Sequence, residues 1–318
     1  MTTRTLASPP VLTAADIAFY DEHGWWASPE PVLAADEITE AREAVERLHR
    51  DGVPADAPMA HKAHLNWRPG ATTALRVNNY AAFLDPALRR LAVHPVVGAL
   101  AAQLSGSPLI RLFNSSLVYK SGIGRTAGTA DPADPADGTD RADPVEPASS
   151  VGWHTDKAYW STCTSSRMLT AWIPLHDVTP DRSPLTVLDG SHRWPEEEVG
   201  DLRQIRGFTA AERGLMEQAL RQRRVDVEPV AVTIPAGALS FHHCLTFHGS
   251  APNASDQPRI SLTVHLQDGA NRWRPALDVD GSRLPYQHED KVRRTADGRP
   301  DYTDPAFCPV LWPPGTPG

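Results

Sequence analysis

Apolar and polar residues alternate most cleanly in the chain's last third. Ile260, Leu262, Val264 and Leu266 fall on one side of a run whose other side carries Arg259, Ser261, Thr263 and His265. A period of two is that of a strand with one buried face. Similar short runs at Leu109–Lys120, Met168–Leu175, Leu185–Leu188, Val225–Ile234, Ala238–Phe241 and Arg259–Gln267 predict strands. One helix is predicted among them, with Thr209 as cap and Ala210 to Arg223 as body. In the strand at 109–120, Asn114, Ser116 and Lys120 share a face. In the next, Thr170 and Trp172 oppose Leu169, Ala171, Ile173 and Leu175. The apolar faces are expected to pack beneath helices, and the polar faces to look inward.

Before Leu109 the spacing is helical. Thr13 caps a helix carrying Ile17, Phe19 and Tyr20 that stops at Gly24. Ile38, Val45 and Leu48 mark a second helix, Ala35 to Arg50, closed by Gly52. Asp85-Pro86 opens a third through Leu88 and Leu91, and His94-Pro95 a fourth through Val97, Leu100 and Leu104 to Gly106. A helical flank followed by many short strands predicts a mainly β domain: sandwich, jelly roll or barrel.

Residues 121–150 fit neither pattern. They hold Asp131, Asp134, Asp137, Asp140, Asp143 and Glu146 with almost no large apolar side chain. Such a stretch reads as a long mobile loop, and its place just before the chemistry-bearing residues makes an active-site lid the functional alternative.

Composition narrows the classes. The 318 residues suffice for a full core. One domain accounts for them: a helical flank over 1–108, a β core over 109–267 and a C-terminal extension over 268–318. The net charge of −8 argues against a nucleic-acid backbone or an anionic membrane as the main partner. Residues 121–150 alone carry six acidic and two basic groups, a net of −4, so half the excess is local to that loop. Three cysteines, Cys163, Cys244 and Cys308, form no disulfide framework and are expected as buried thiols in the reducing cytoplasm. Met1 to Pro10 shows no apolar segment of a signal peptide, and no run of 18 apolar residues predicts a membrane span.

The candidate chemistry is His154-Thr155-Asp156. On a strand, positions i and i+2 face the same way, so an imidazole and a carboxylate can supply two ligands of a 2-His-1-carboxylate iron site. The pattern alone is weak, because His49-Arg50-Asp51 and His288-Glu289-Asp290 repeat it. Both repeats are expected on solvated surface. His248 offers the third ligand, and Arg259 follows after ten intervening residues, on the inward face of a core strand. A guanidinium there is suited to grip a carboxylate. His242, His243 and Cys244 fit no familiar zinc spacing and are expected to be structural. His192 is expected to bond locally within a turn.

With these residues in place, the chain resembles the phytanoyl-CoA dioxygenase family of Fe(II)/2-oxoglutarate-dependent oxygenases, from roughly Leu109 to Gln267. Ala171-Trp172-Ile173-Pro174-Leu175, Leu188-Asp189-Gly190-Ser191-His192 and a weaker echo at His23-Gly24-Trp25 extend the likeness. Where the family usually carries Asn-Gly before a late strand, Ser183-Pro184 stands, a difference expected to touch a turn and not the metal. The resemblance implies a double-stranded β-helix (jelly roll). It implies Fe(II) held by His154, Asp156 and His248, with 2-oxoglutarate and O2 as co-substrates. It matches Arg259 and Ser250 to the distal carboxylate of 2-oxoglutarate and Trp172 to its flank. Asn114, Ser116 and Lys120 lie on the strand that lines it.

Tyr159 and Trp160 follow the metal motif closely and are candidate substrate contacts, while Trp273 and Arg274 are placed to close over the pocket. The intact Asp156 argues for hydroxylation over halogenation, since halogenating relatives replace that carboxylate. The implied reaction hydroxylates an unactivated C–H bond of a small molecule, such as a natural-product intermediate, releasing succinate and CO2. An acyl-CoA hydroxylase and a non-catalytic jelly-roll binding protein are the rivals. A cupin-type metal enzyme without 2-oxoglutarate is a third, and it would need no Arg259–Ser250 pair.

Overall fold

The computed structural model describes residues 10–57, 69, 73–123, 149–206, 210–223, 227–277 and 281–315. Most of the acidic loop therefore lies outside the described residues. Strands in chain order are β1 (Trp25–Ala27), β2 (Leu75–Asn79), β3 (Ile110–Lys120), β4 (Val151–His154), β5 (Leu169–Pro174), β6 (Leu185–Leu188) and β7 (Pro229–Val232). Then follow β8 (Ser240–His243), β9 (His248–Ser250), β10 (Arg259–Asp268), β11 (Ala276–Leu277), β12 (Arg283–Leu284) and β13 (Val310–Trp312). The larger sheet runs β1-β8-β5-β10-β3-β13, with β2 also paired to β3, and the smaller runs β4-β9-β6-β7. Pairings are antiparallel throughout. This is the jelly-roll architecture expected from the strand pattern.

Among the described residues four α-helices precede β3, as the spacing predicts. Helix α1 (Ala14–His23) opens on a capping box: Asp16 N donates to Thr13 Oγ1 at 3.2 Å and Thr13 N to Asp16 Oδ2 at 2.8 Å. Helix α2 spans Ala35–Asp51. Helix α3 (Pro86–Ala92) is capped by Asp85, which accepts from Ala87 N at 2.7 Å, and α4 (Pro95–Ser105) ends on left-handed Gly106. Ile38, Leu88, Val97 and Leu100 from these helices join Leu169, Ala171, Ile173, Ile260, Leu262, Val264 and Leu266 in one buried cluster. Each such aliphatic side chain removed from water contributes about 1.5–3 kcal/mol. The outward faces of β5 and β10 are thus the floor of the helical layer, and their inward faces are left for chemistry.

Two motifs far apart in sequence meet. His23 Nδ1 lies 2.7 Å from Asp189 Oδ2, Trp25 Nε1 donates to Asp189 Oδ1 at 2.8 Å, and Gly190 N donates to His23 O. Gly24 between them has φ 74°, and a Cβ there would sit 2.2 Å from His192 Nδ1, so only glycine fits. His192 is therefore not a purely local turn residue: its Nε2 approaches Asp21 O at 3.2 Å.

Three expectations are corrected. The strand predicted at 225–234 is only Pro229–Val232 among the described residues. The one at 238–241 slides to Ser240–His243, because Ala238 N turns back onto Pro235 O around left-handed Gly237. His288-Glu289-Asp290 is not solvated surface: His288 and Glu289 are buried, and only Asp290 is exposed. The C-terminal segment runs back across the barrel, with β13 pairing β3 and Tyr302 and Cys308 entering the core. His49 is half-buried, its ring edge-on to Tyr119 at 4.7 Å.

Candidate active site

Strand β4 ends at His154, and the register pairs it with His248, the first residue of β9. The two imidazole centroids are 4.3 Å apart. Asp156 lies just past the strand, in a 3-10 turn (Asp156–Ala158), so the pair is not on one strand as expected. Thr155 keeps extended backbone (φ −111°, ψ 144°), and the i, i+2 relation survives. One ligand atom from each of His154, Asp156 and His248 lies within 4.8 Å of the others, and all three residues are buried. His248 Nε2 is 3.7 Å from Asp156 Oδ1.

Tautomers follow from the hydrogen bonds. His154 Nδ1 is 2.8 Å from Gly152 O, and His248 Nδ1 is 2.9 Å from Thr246 O. A carbonyl only accepts, so each Nδ1 carries the proton and each Nε2 lone pair is free for a metal. Burial pushes both imidazoles below their ordinary range and keeps them neutral. Burial alone would raise the Asp156 carboxyl. The imidazoles of His248, His242 and His265 outweigh it and hold Asp156 well below the usual carboxylate range. Two neutral imidazoles and one carboxylate with bare donor atoms converging are what a facial divalent-iron site requires.

The carboxylate is clamped from the opposite sheet. His242 Nε2 lies 3.1 Å from Asp156 Oδ2, and Thr170 Oγ1 donates to the same oxygen at 2.5 Å. Thr170 in turn lies 3.0 Å from His265 Nδ1. Neither His242 nor His265 was singled out as a site residue from the sequence. The signal was present in the parity: His242, Thr170 and His265 are register partners across β8, β5 and β10, all on the inward face.

At the other end of β10 stand two buried cations. Arg259 pairs in register with Lys120, and their exposures are 3% and 0%. Among the described residues no carboxylate pairs with either. Lys120 Nζ donates to Ser250 Oγ at 2.6 Å, Ala251 O at 2.8 Å and Ser183 Oγ at 2.9 Å. Arg259 donates to Ser183 O and Ser261 Oγ, and its guanidinium lies 5.3 Å from the Trp172 ring centroid. Burial lowers Arg259 to about 10, and burial with the neighbouring guanidinium takes Lys120 well below its ordinary value. Two like charges out of water need an anion. Ser183 belongs to this pocket, so the Ser183-Pro184 departure touches more than a turn.

The remaining candidates separate. Ser116 Oγ donates to Asn79 Oδ1 at 2.9 Å, and Asn114 Oδ1 accepts from Ser115 N at 2.7 Å. Tyr159 stands edge-on to His154 at 5.4 Å, with its hydroxyl on Arg206 O. Trp160 is buried in an aromatic cluster with Phe113 and Tyr302, edge-on to His265 at 5.0 Å. Trp273 and Arg274 brace the loop after the metal motif rather than a lid: Trp273 bridges Cys163, and Arg274 bonds Ser161 O. Cys244 points to Ser166 O, its thiol pushed up to about 12 by burial, and all three cysteines are buried and free. Among the described residues no helix is long and apolar enough to cross a membrane.

Comparison with known proteins agrees with this geometry. The family model for phytanoyl-CoA dioxygenase (PhyH) matches residues 20–261, and the chain belongs to that family. Its members and structural neighbours are Fe/2-oxoglutarate-dependent oxygenases, and this protein is one, using Fe(II) and 2-oxoglutarate. A "Probable alpha-ketoglutarate-dependent hypophosphite dioxygenase" from Stutzerimonas stutzeri is 26% identical over 248 residues, 77% of this chain and 74% of that protein. The epimerase SnoN of nogalamycin biosynthesis, solved with Fe3+, alpha-ketoglutarate and nogalamycin RO, is 27% identical with a TM-score of 0.61, covering 93% of this chain and 97% of that one. The carbocyclase SnoK of the same biosynthesis is 26% identical with a TM-score of 0.61, covering 88% and 97%. EctD from S. alaskensis, at 21% identity and a TM-score of 0.60 over 90% of this chain and 86% of that one, shares the fold.

Proposed function

We propose that His154, Asp156 and His248 hold the Fe(II), and that Arg259 with Ser250 receives the distal carboxylate of 2-oxoglutarate beside Trp172. The observation that carries this is the buried Lys120–Arg259 pair without a carboxylate partner among the described residues, between the same sheets as the His–Asp–His cluster. A dicarboxylate spanning the two would chelate at one end and neutralise charge at the other. Bound there, Fe(II) would activate O2 as the oxidant, with 2-oxoglutarate supplying two electrons and leaving as succinate and CO2. The chain's own residues orient and shield: Nδ1–H bonds fix both imidazoles, His242 and Thr170 fix the carboxylate, and the aromatic cluster around Trp160 excludes water.

The reaction we infer is hydroxylation of an unactivated C–H bond in a small molecule of natural-product biosynthesis. The likeness to SnoN and SnoK supports that substrate class. One domain over residues 1–318, with 1–108 as helical flank, 109–267 as core and 268–318 as extension, accommodates this function. A cytoplasmic location is supported by the three free thiols. Three measurements test the reading: succinate formed from 2-oxoglutarate with Fe(II), a mass-spectrometric screen for a product 16 mass units heavier, and Arg259→Ala. The variant is expected to bind Fe(II) normally but to require far more 2-oxoglutarate. An unchanged requirement would remove Arg259 from its role.

A further inference from the structure

His23-Gly24-Trp25 and Leu188-Asp189-Gly190-Ser191-His192 lie outside the His–Asp–His triad, yet both close on the segment that delivers its third member. Between β8 and β9 the chain crosses from the larger sheet to the smaller over residues 244–247. His154 finds the acceptor for its Nδ1–H inside its own strand, at Gly152 O. His248 instead reaches back into this crossing, to Thr246 O at 2.9 Å. The aim of its imidazole is therefore set by the peptide between Thr246 and Phe247.

That peptide is held from both motifs. Its N–H, on Phe247, donates to Ser191 Oγ at 2.9 Å. A peptide group is planar, so fixing the N–H aims the carbonyl that receives His248. The Thr246 hydroxyl donates to Gly24 O at 2.8 Å, and His243 N donates to the same oxygen at 2.9 Å. A Cβ on Gly24 would stand 2.7 Å from Thr246 Oγ1, so glycine is what lets that hydroxyl reach. The Asp189 bonds to His23 and Trp25 lock the two motifs together, and Leu188 N donates to Phe247 O at 2.9 Å. Ser191 and Thr246 are fully buried, so a deleted hydroxyl leaves its partner without bulk water to replace it.

We infer that Ser191 and Thr246 are positioning residues of the metal site, acting through the 246–247 peptide to orient His248. The end of α1 and the segment 188–192 are then the frame of that peptide, and the N-terminal flank is part of the metal-binding apparatus. The geometry separates the triad into two kinds of ligand. His154 is oriented by its own strand, whereas His248 is oriented by residues as distant in sequence as Gly24. The inference rests on the reading of the metal site given above and adds what holds one of its ligands in place.

The test loads the full-length protein with Co(II) in place of Fe(II) and follows metal affinity together with the 1H spectrum. Bound Co(II) shifts the Nδ1 protons of ligating imidazoles far from the other resonances, so each histidine is read separately. Wild type is expected to show two such protons, both slow to exchange with solvent. Ser191→Ala and Thr246→Val should each lower Co(II) affinity about tenfold, the scale of an outer partner of a metal ligand, and speed exchange of the His248 proton alone. Thr246→Ser keeps the hydroxyl and should restore both readouts. Thr13→Ala, which removes the capping box at the far end of α1, should lower Tm with affinity and both resonances unmoved. Wild-type affinity with an unmoved His248 resonance in the folded variants would overturn the inference, as would an equal loss of affinity in Thr13→Ala. Should Ser191→Ala and Thr246→Val both fail to fold, wild type decides: a His248 Nδ1 proton that exchanges too fast to be seen, beside a slow one on His154, overturns it. Wild type that takes up no Co(II), or shows no shifted histidine protons, would instead overturn the underlying metal site, so the two failures are distinguishable.

Discussion

Two of the chain's three His-x-Asp patterns, His154-Thr155-Asp156 and His288-Glu289-Asp290, meet opposite fates. In His154-Thr155-Asp156 the histidine ends a strand, Thr155 stays extended, and both ends of the pattern turn into the space between the sheets, where His248 waits. In His288-Glu289-Asp290 the residues wind into a 3-10 helix. There His288 is fully buried, 5.9 Å from Tyr80 and 4.6 Å from Phe113, while the Asp290 side chain is 81% exposed. Two residues along an extended chain share a side, but two along a helical turn do not. The difference lies in backbone conformation and in what stands opposite, not in the residues. A spacing rule thus carries chemistry only with its secondary structure attached.

The largest expected effect breaks the comparison at its first member. Asp156→Ala should lower 2-oxoglutarate turnover by roughly 100-fold or more and abolish tight Fe(II) binding, given that even outer partners of metal ligands are worth about 10–100-fold. Next, Arg259→Ala should raise the 2-oxoglutarate requirement by about 10–100-fold, as for loss of a charged hydrogen bond, with Fe(II) affinity unchanged. At the second member, His288→Ala should destabilise the fold by about 2–4 kcal/mol through a cavity among Tyr80, Phe113 and Tyr302, again with Fe(II) affinity unchanged.

A pH scan then separates histidines held neutral by packing. Burial depresses His288 to about 3 and His176 to about 4. His176 Nε2 accepts from Ile260 N at 2.8 Å, so protonation would set donor against donor. The unfolded chain takes up protons near pH 6.5 and the folded chain only near 4. The stability from these groups is therefore complete above about pH 6.5 and is lost as pH falls toward 4, by up to about 3 kcal/mol for His176. Calorimetric Tm from pH 7.5 to 4.5 should fall, and His176→Gln should flatten the fall. The smallest effect is Asp290→Ala, expected within about 0.5 kcal/mol in stability and unchanged in turnover.

Much of this was readable before the structure, for identifiable reasons. Caps such as Thr13 and Asp85 and the period-two faces of β5 and β10 act locally, so the sequence displays them. The side of β10 that carries Arg259 is legible because its opposite, apolar row fixes which face is buried beneath the helices. What stayed hidden depends on register between distant segments. That His242 and Thr170 clamp one oxygen of Asp156 follows from β8 and β5 being neighbours. That Ser183 enters the Lys120 pocket follows from a turn 63 positions away in sequence. The burial of His288 was missed because its neighbours are charged, while its ring is covered by residues as distant as Tyr80.

The central claim, that the first pattern and His248 hold the iron that 2-oxoglutarate chelates, is tested most directly by anaerobic titration. Wild type, Asp156→Ala and Asp290→Ala would each receive Fe(II) and 2-oxoglutarate, followed by the visible charge-transfer absorption of the chelate. The account predicts one equivalent of each in wild type and Asp290→Ala, and no chelate band in Asp156→Ala. A full band in folded Asp156→Ala would contradict it.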